Sequence, residues 1–376
     1  MQPGAVPLLL AAAVFLAAVP LNLAFLAAAP RAGPHDAPAC ARAAGCAPAV
    51  RGCAGRIARA QARSRARLAP VATAVQAGGA GTASPLVLYD STLTQRQVEF
   101  SVEDRIKLAQ MLDEFGMHYI EAGWPTVFPA DRVFFVRARD ELEPACFGKL
   151  VAMAPLPSAA AGPASTAETL LKTGAVNVGV AVNAASAQGD LGETLAATVQ
   201  LLRADRADGR VVVHLHNAMH AYQNDAGAVA ALIAAACKAG ADVVLLVDTG
   251  STATPWEVEA MTAHLQGAVQ WGDTLLGVGC REQTELSVAA TLYAARQGAG
   301  VLAGTVNGFG SCADLAVLIP VLQLKMGHAL VSPAALAGLT SLSRAIDEVR
   351  VVLCRVCVCA RAHVVHVCAV CVHSCV

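Results

Sequence analysis

The chain has 376 residues and a formal net charge of −1, enough length for one (β/α)₈ barrel of about 250 residues with extensions at both ends. Charge is unevenly placed: residues 1–85 hold eight arginines and a single acid, Asp36, and residues 350–376 add three arginines and no acid, which leaves an acidic middle. That balance excludes a basic nucleic-acid-binding stripe, and four scattered cysteines in the middle (Cys146, Cys237, Cys280, Cys312) exclude a secreted disulfide scaffold.

In chain order, the first element is an apolar stretch from Ala5 to Ala29, interrupted by Pro7, Pro20 and Asn22 and followed by small residues suited to cleavage. It reads as a signal-like segment, with a membrane anchor as the alternative. The Ala/Arg/Gly-rich run from Arg31 to Ser84 has transit-peptide composition. Together, residues 1–85 predict a cleavable leader directed to a plastid, with the secretory pathway or a disordered extension as other readings, and no stable membrane anchor.

From residue 86 to 345, short β-rich runs alternate with helical patterns about every 30 residues, the mark of repeated βα units around a parallel sheet. The predicted strands are Leu86 to Tyr89, Tyr119 to Ala122, Lys149 to Ala154, Asn177 to Val182, Arg210 to His216, Asp242 to Asp248, Leu275 to Gly279 and Val301 to Thr305. Eight strands suit a closed α/β barrel. Between the first two, Ile106, Ala109, Leu112 and Phe115 follow a helical period, and Ser101 with Asp104 has the spacing of a capping box. Gly116, Gly174, Gly240 and Gly298 each follow a helical segment, where a left-handed residue ends a helix most easily as glycine. Chemistry in such a barrel sits where strands end, which singles out Asp90, Glu121, His214 to Asn217, Asp248, Thr249, Gly279 to Gln283 and Asn307 to Gly310.

Tyr-Asp-Ser-Thr-Leu (89 to 93), Tyr-Ile-Glu-Ala-Gly-Trp-Pro (119 to 125), Val-Asp-Thr-Gly (247 to 250), Gly-Thr-Val-Asn-Gly-Phe-Gly (304 to 310) and Leu-Ile-Pro-Val-Leu-Gln-Leu-Lys (318 to 325) occur in this order. They resemble the pyruvate carboxyltransferase-like (DRE-TIM metallolyase) superfamily, and within it citramalate and 2-isopropylmalate synthases. The resemblance implies a TIM barrel that joins acetyl-CoA to a 2-oxoacid such as pyruvate, with a divalent metal, Mg or Mn, polarising the oxo group and an arginine stabilising the oxyanion. It also implies isoleucine or leucine biosynthesis as the setting.

Carried over residue by residue, the resemblance puts Asp90 in the strand 1 metal-ligand position and Glu121, Thr249, Asn307 and Gly308 around the substrate. The structural alternatives for these are a buried carboxylate, a strand-end turn and a tight loop; Asp248 reads as scaffold. The arginine position holds Thr94, with Arg96 as a displaced substitute. The strand 7 His-x-His aligns with Gly279 and Arg281, neither of which can ligate a metal, and the strand 8 loop has contracted to Ser311-Cys312-Ala313-Asp314. His214 and His216, two apart on strand 5, offer a relocated pair that could join Asp90 and Glu121 in a mixed nitrogen and oxygen site, or are histidines of an eroded one.

Residues 346–376 depart from the resemblance into a Cys/Val/His-rich tail, in which Cys354-x₂-Cys357 and Cys368-x₂-Cys371 have zinc-compatible spacing but low complexity. Two readings follow: an acetyl-CoA-dependent acyltransferase, or a catalytically inactive barrel that binds an active paralogue, with a damaged gene model behind the shortened motifs as a third. A homodimer or a dimer with that paralogue is the partner expectation.

Overall fold

A computed structural model describes residues 86–360 apart from 97–99, 159–161, 187–189, 206–207 and 282–284; from residue 350 onwards it describes the backbone alone. The leader, both predicted compartments and Cys368-x₂-Cys371 lie outside the described residues, as do the side chains of Cys354 and Cys357.

Eight parallel strands form a closed barrel in sequential order. They are β1 (Val87–Asp90), β2 (Tyr119–Gly123), β3 (Leu150–Pro155), β4 (Asn177–Asn183), β5 (Val211–His216), β6 (Val243–Asp248), β7 (Leu275–Cys280) and β8 (Val301–Gly304). Each predicted strand is present, with no end shifted by more than one residue. Closure is made by β1 pairing with β8, where Val87 to Asp90 stand opposite Val301 to Gly304. Such a barrel leaves no free strand edge.

Alternation along the strands divides two cores. Val87, Tyr89, Tyr119, Val151, Met153, Val212, Val243, Leu245 and Val301 fill the interior. Leu88, Ile120, Val178, Val213, Val244, Leu246 and Leu302 face outwards to meet Leu108, Leu112, Phe134, Leu195, Ile233 and Leu265 from the surrounding helices. The interior is packed tightly enough that a side chain at Gly179 would meet the Val212 carbonyl at 2.8 Å, and Met153 occupies that space.

Helix ends follow local chemistry. Helix Val102–Phe115 opens with Ser101 accepting from the Asp104 amide while the Asp104 carboxylate accepts from the Ser101 amide, the predicted capping box. Gly116, Gly174, Gly240 and Gly298 all have positive φ, from 72° to 106°, as the four helix stops require. The helix Leu339–Ala360 runs across the expected boundary at 345, because its Leu339, Leu342 and Ile346 pack into the outer core. Among the described residues, no helix is long and apolar enough to cross a membrane.

Candidate active site

A cavity of about 230 Å³ opens at the C-terminal ends of the strands, the face on which barrels of this type place their chemistry. Its floor is Tyr89, Leu245 and Val247, and its walls carry Glu121, Trp124, His214, His216, Arg96 and Arg281. The two histidines reach it because β5 alternates: Val212 faces the barrel interior, and so do residues two and four further on.

Glu121 sits among donors brought from three places in the chain. Tyr89 Oη donates to its Oε2 at 3.2 Å, and Thr94 Oγ1 and Trp124 Nε1 each donate to Oε1 at 3.0 Å. His214 Nδ1 lies 3.9 Å from Oε2. Burial raises the Glu121 pKa, against the lowering effect of those hydrogen bonds. Burial also pushes His214 down to about 3 and His216 down to about 4, His214 itself adding to the effect on His216. In so dry a setting desolvation outweighs the attraction of Glu121 for an imidazolium, so the protonated form of each histidine is disfavoured. Both imidazoles are therefore neutral hydrogen-bonding groups, and the Nε2 of each has no partner.

Arg96 lines the cavity, but its charge is engaged. Its Nη2 lies 2.6 Å from Asp131 Oδ2, and its guanidinium stacks 3.8 Å over the Phe128 ring. Asp131, fully buried, also binds Arg105 Nη1 at 2.8 Å and accepts from the Trp124 amide at 2.6 Å. This acid ties the loop after β2 to the first helix, and nothing in the strand motifs singled it out.

The remaining candidates are placed elsewhere. Asp90 does not line the cavity: its oxygens accept from the Thr92 amide at 3.0 Å and from Thr92 Oγ1 at 2.7 Å, and Thr92 Oγ1 in turn accepts from the Val306 amide. It thus clamps β1 to the loop after β8. Tyr89 takes the inward direction along β1 and its neighbour Asp90 the other, so Asp90 does not join His214, His216 and Glu121 in the cavity lining. Burial lifts the Asp90 pKa to about 7.

Thr249, Asn307 and Gly308 also lie outside the cavity lining. Thr249 Oγ1 accepts from the Asn217 amide at 3.1 Å and donates to Asn217 Oδ1. Asn307, at φ 65°, donates through Nδ2 to the Ser343 carbonyl and accepts from Ser343 Oγ, while Gly308 shares its left-handed backbone. These contacts hold the loop after β8 to the C-terminal helix. Asp248 accepts from the amides of Thr252 and Ala253, the expected scaffold role. Cys280 and Cys312 line the cavity, yet burial pushes Cys280 up to about 12 and raises Cys312 as well, so neither is a ready nucleophile.

The HMGL-like pattern matches residues 91–346, most of the barrel. The chain belongs to the HMGL-like family. Among its relatives, the (R)-citramalate synthase of Streptomyces coelicolor is 31% identical over 278 residues, covering 70% of this chain and 51% of that protein. That of Aquifex aeolicus is 30% identical over 287 residues, covering 71% and 53%. The 2-isopropylmalate synthase of Methylorubrum populi is 26% identical over 255 residues, covering 66% and 48%. The chain thus spans about half the length of these relatives. In three dimensions, hydroxymethylglutaryl-CoA lyase from Pseudomonas aeruginosa shares the fold with a TM-score of 0.56 at 18% identity, covering 72% of this chain and 98% of that one.

HMGL-like enzymes generally use a divalent metal, and the donors present here do not fit one. Mg and Mn favour carboxylate and carbonyl oxygens, but the Asp90 carboxylate is turned to Thr92 and both Glu121 oxygens are held by neighbours. Gly279 and Arg281 stand at the end of β7. Among the described residues, no group of three or more His, Cys, Asp and Glu is arranged to hold a metal ion.

Proposed function

We propose that this barrel condenses acetyl-CoA with a small 2-oxoacid, pyruvate first among them, in the manner of the citramalate synthases it resembles. In that reaction the acetyl methyl carbon loses a proton and bonds to the oxo carbon; the resulting alkoxide takes up a proton, and water then cleaves the thioester to release CoA. The observation that carries the proposal is a cavity at the active face of an HMGL-like barrel, walled by a buried carboxylate and two neutral imidazoles. Its size suits an acid of a few heavy atoms and leaves the bulk of CoA outside. Neutral imidazole N–H groups can stabilise a developing oxyanion without first being discharged. The leader, read as signal plus transit segment, gives a plastid as the proposed compartment.

A second reading is favoured by the Glu121 hydrogen bonds: with both oxygens engaged, it is poorly placed to take a proton from a substrate carbon. The barrel would then bind an acid without turning it over and serve as a partner of an active paralogue. A free-thiol assay with acetyl-CoA, several 2-oxoacids and added Mg²⁺ or Mn²⁺ separates the two. CoA release that disappears in His214→Gln supports condensation, whereas no release with any acid from the folded chain sinks it.

A further inference from the structure

We propose that Arg281, together with the Nε2–H groups of His214 and His216, forms a site that binds a small carboxylic acid without a metal ion. This deepens the condensation reading by naming what holds the acid, and it holds equally for a barrel that binds and does not react.

Three buried nitrogens without a hydrogen-bond partner carry the inference. His214 is only 4% exposed, and its Nε2 has no partner; the same is true of His216 Nε2 and of Arg281 Nε, all on residues that line one cavity. A buried donor left without an acceptor costs about 1–3 kcal/mol, so three such groups around one space call for an occupant rich in acceptors. Both imidazoles are held neutral, and in the Nε2–H tautomer each offers a proton to the cavity.

Charge identifies the occupant further. A guanidinium keeps its proton under all ordinary conditions, and among the described residues no carboxylate lies within ion-pair distance of Arg281, whereas Arg96 is matched by Asp131. The Glu121 carboxyl faces the same space but is satisfied by Tyr89, Thr94 and Trp124. Among the described residues, the cation on the cavity wall without a carboxylate partner is therefore Arg281. Its backbone is set in place, with its amide on the Asp248 carbonyl at 3.2 Å and a bridge to Cys312. A planar carboxylate matches the guanidinium fork, and an adjacent oxo or hydroxyl oxygen supplies the acceptor the imidazoles lack. The same position that costs HMGL-like chemistry its strand 7 ligand thus supplies a fixed positive charge in its stead.

The test is calorimetric titration of the full chain with pyruvate and with oxalate, in excess chelator. Saturable binding is expected, and Arg281→Gln should weaken it about tenfold to a hundredfold, the range for losing a hydrogen bond to a charged group, while Arg281→Lys retains part of the affinity. Methyl pyruvate, lacking the charge, should not bind. Should Arg281→Gln fail to fold by circular dichroism, His214→Gln and Arg281→Lys carry the test, and unchanged affinity in both overturns the proposal. So does binding that appears only with added Mg²⁺ or Mn²⁺, or inorganic phosphate binding as tightly as the acids. Acid binding without CoA release would sink condensation and leave this site standing; CoA release that needs metal and ignores Arg281 would do the reverse.

Discussion

Replacing His214 by glutamine should flatten the acid sensitivity of the barrel. Burial holds the folded-state pKa of His214 at about 3 against an ordinary 6.5, so between those values the unfolded chain binds a proton that the folded chain does not. Stability is then lost as pH falls through that window and regained as it rises. Taking pH from 7 to 4.5, this one group costs about 2.5 kcal/mol by proton linkage. His216, at about 4, acts in the same direction, while Asp90, raised to about 7, and Glu121, also raised, act in the opposite one because the folded chain holds their protons more tightly. The overall slope is a sum of opposed parts, so the informative quantity is the difference between wild type and His214→Gln. Urea unfolding followed by tryptophan fluorescence at a series of pH values gives it. The two stability curves should converge by about 2.5 kcal/mol on going from pH 7 to 4.5; parallel curves would refute the view that His214 is buried uncharged.

Asp131→Ala leaves Arg105, whose side chain is 5% exposed, without its partner, and should cost about 3–5 kcal/mol; a denaturation midpoint implying under about 1 kcal/mol would contradict a buried pair. Gly304→Ala would drive a methyl into the Ala313 carbonyl and against Leu315, so a loss of about 1–3 kcal/mol is expected from overpacking, with circular dichroism reporting whether the barrel persists. Ser101→Ala removes one half of a capping box and should lower stability by about 1 kcal/mol without touching acid binding. Asn307→Ala should lower the thermal midpoint through loss of its Ser343 bonds; a weakened affinity for pyruvate with an unchanged midpoint would restore Asn307 to the substrate side.

Much of the site was legible where side chains obey a local period. His214 and His216 share a side of β5 because strand residues alternate, and that side is the interior. Asp90 was harder. Leu88 and Tyr89 are both fully buried, one facing the helices and one the barrel axis; a strand covered on both faces carries no polar alternation to say which way its acid turns. Arg281 stands where the resemblance expects a metal ligand, and that no described carboxylate pairs with it is a fact of the fold that spacing in the chain does not reveal. The three donors on Glu121 come from Tyr89, Thr94 and Trp124, and spacing in the chain gives no warning that they meet.

By itself, then, the amino-acid order determined the repeated βα unit, its eight strands and its helix stops, because these depend on side-chain period and on backbone freedom at single residues. It also carried the family, in short motifs that keep their order along the chain. Tertiary structure alone decided which carboxylates face the cavity, which cavity arginine lacks a partner among the described carboxylates, and that burial disfavours charge on the imidazoles. Those properties arise from burial and from partners distant in the chain, and they exist only after the barrel has closed.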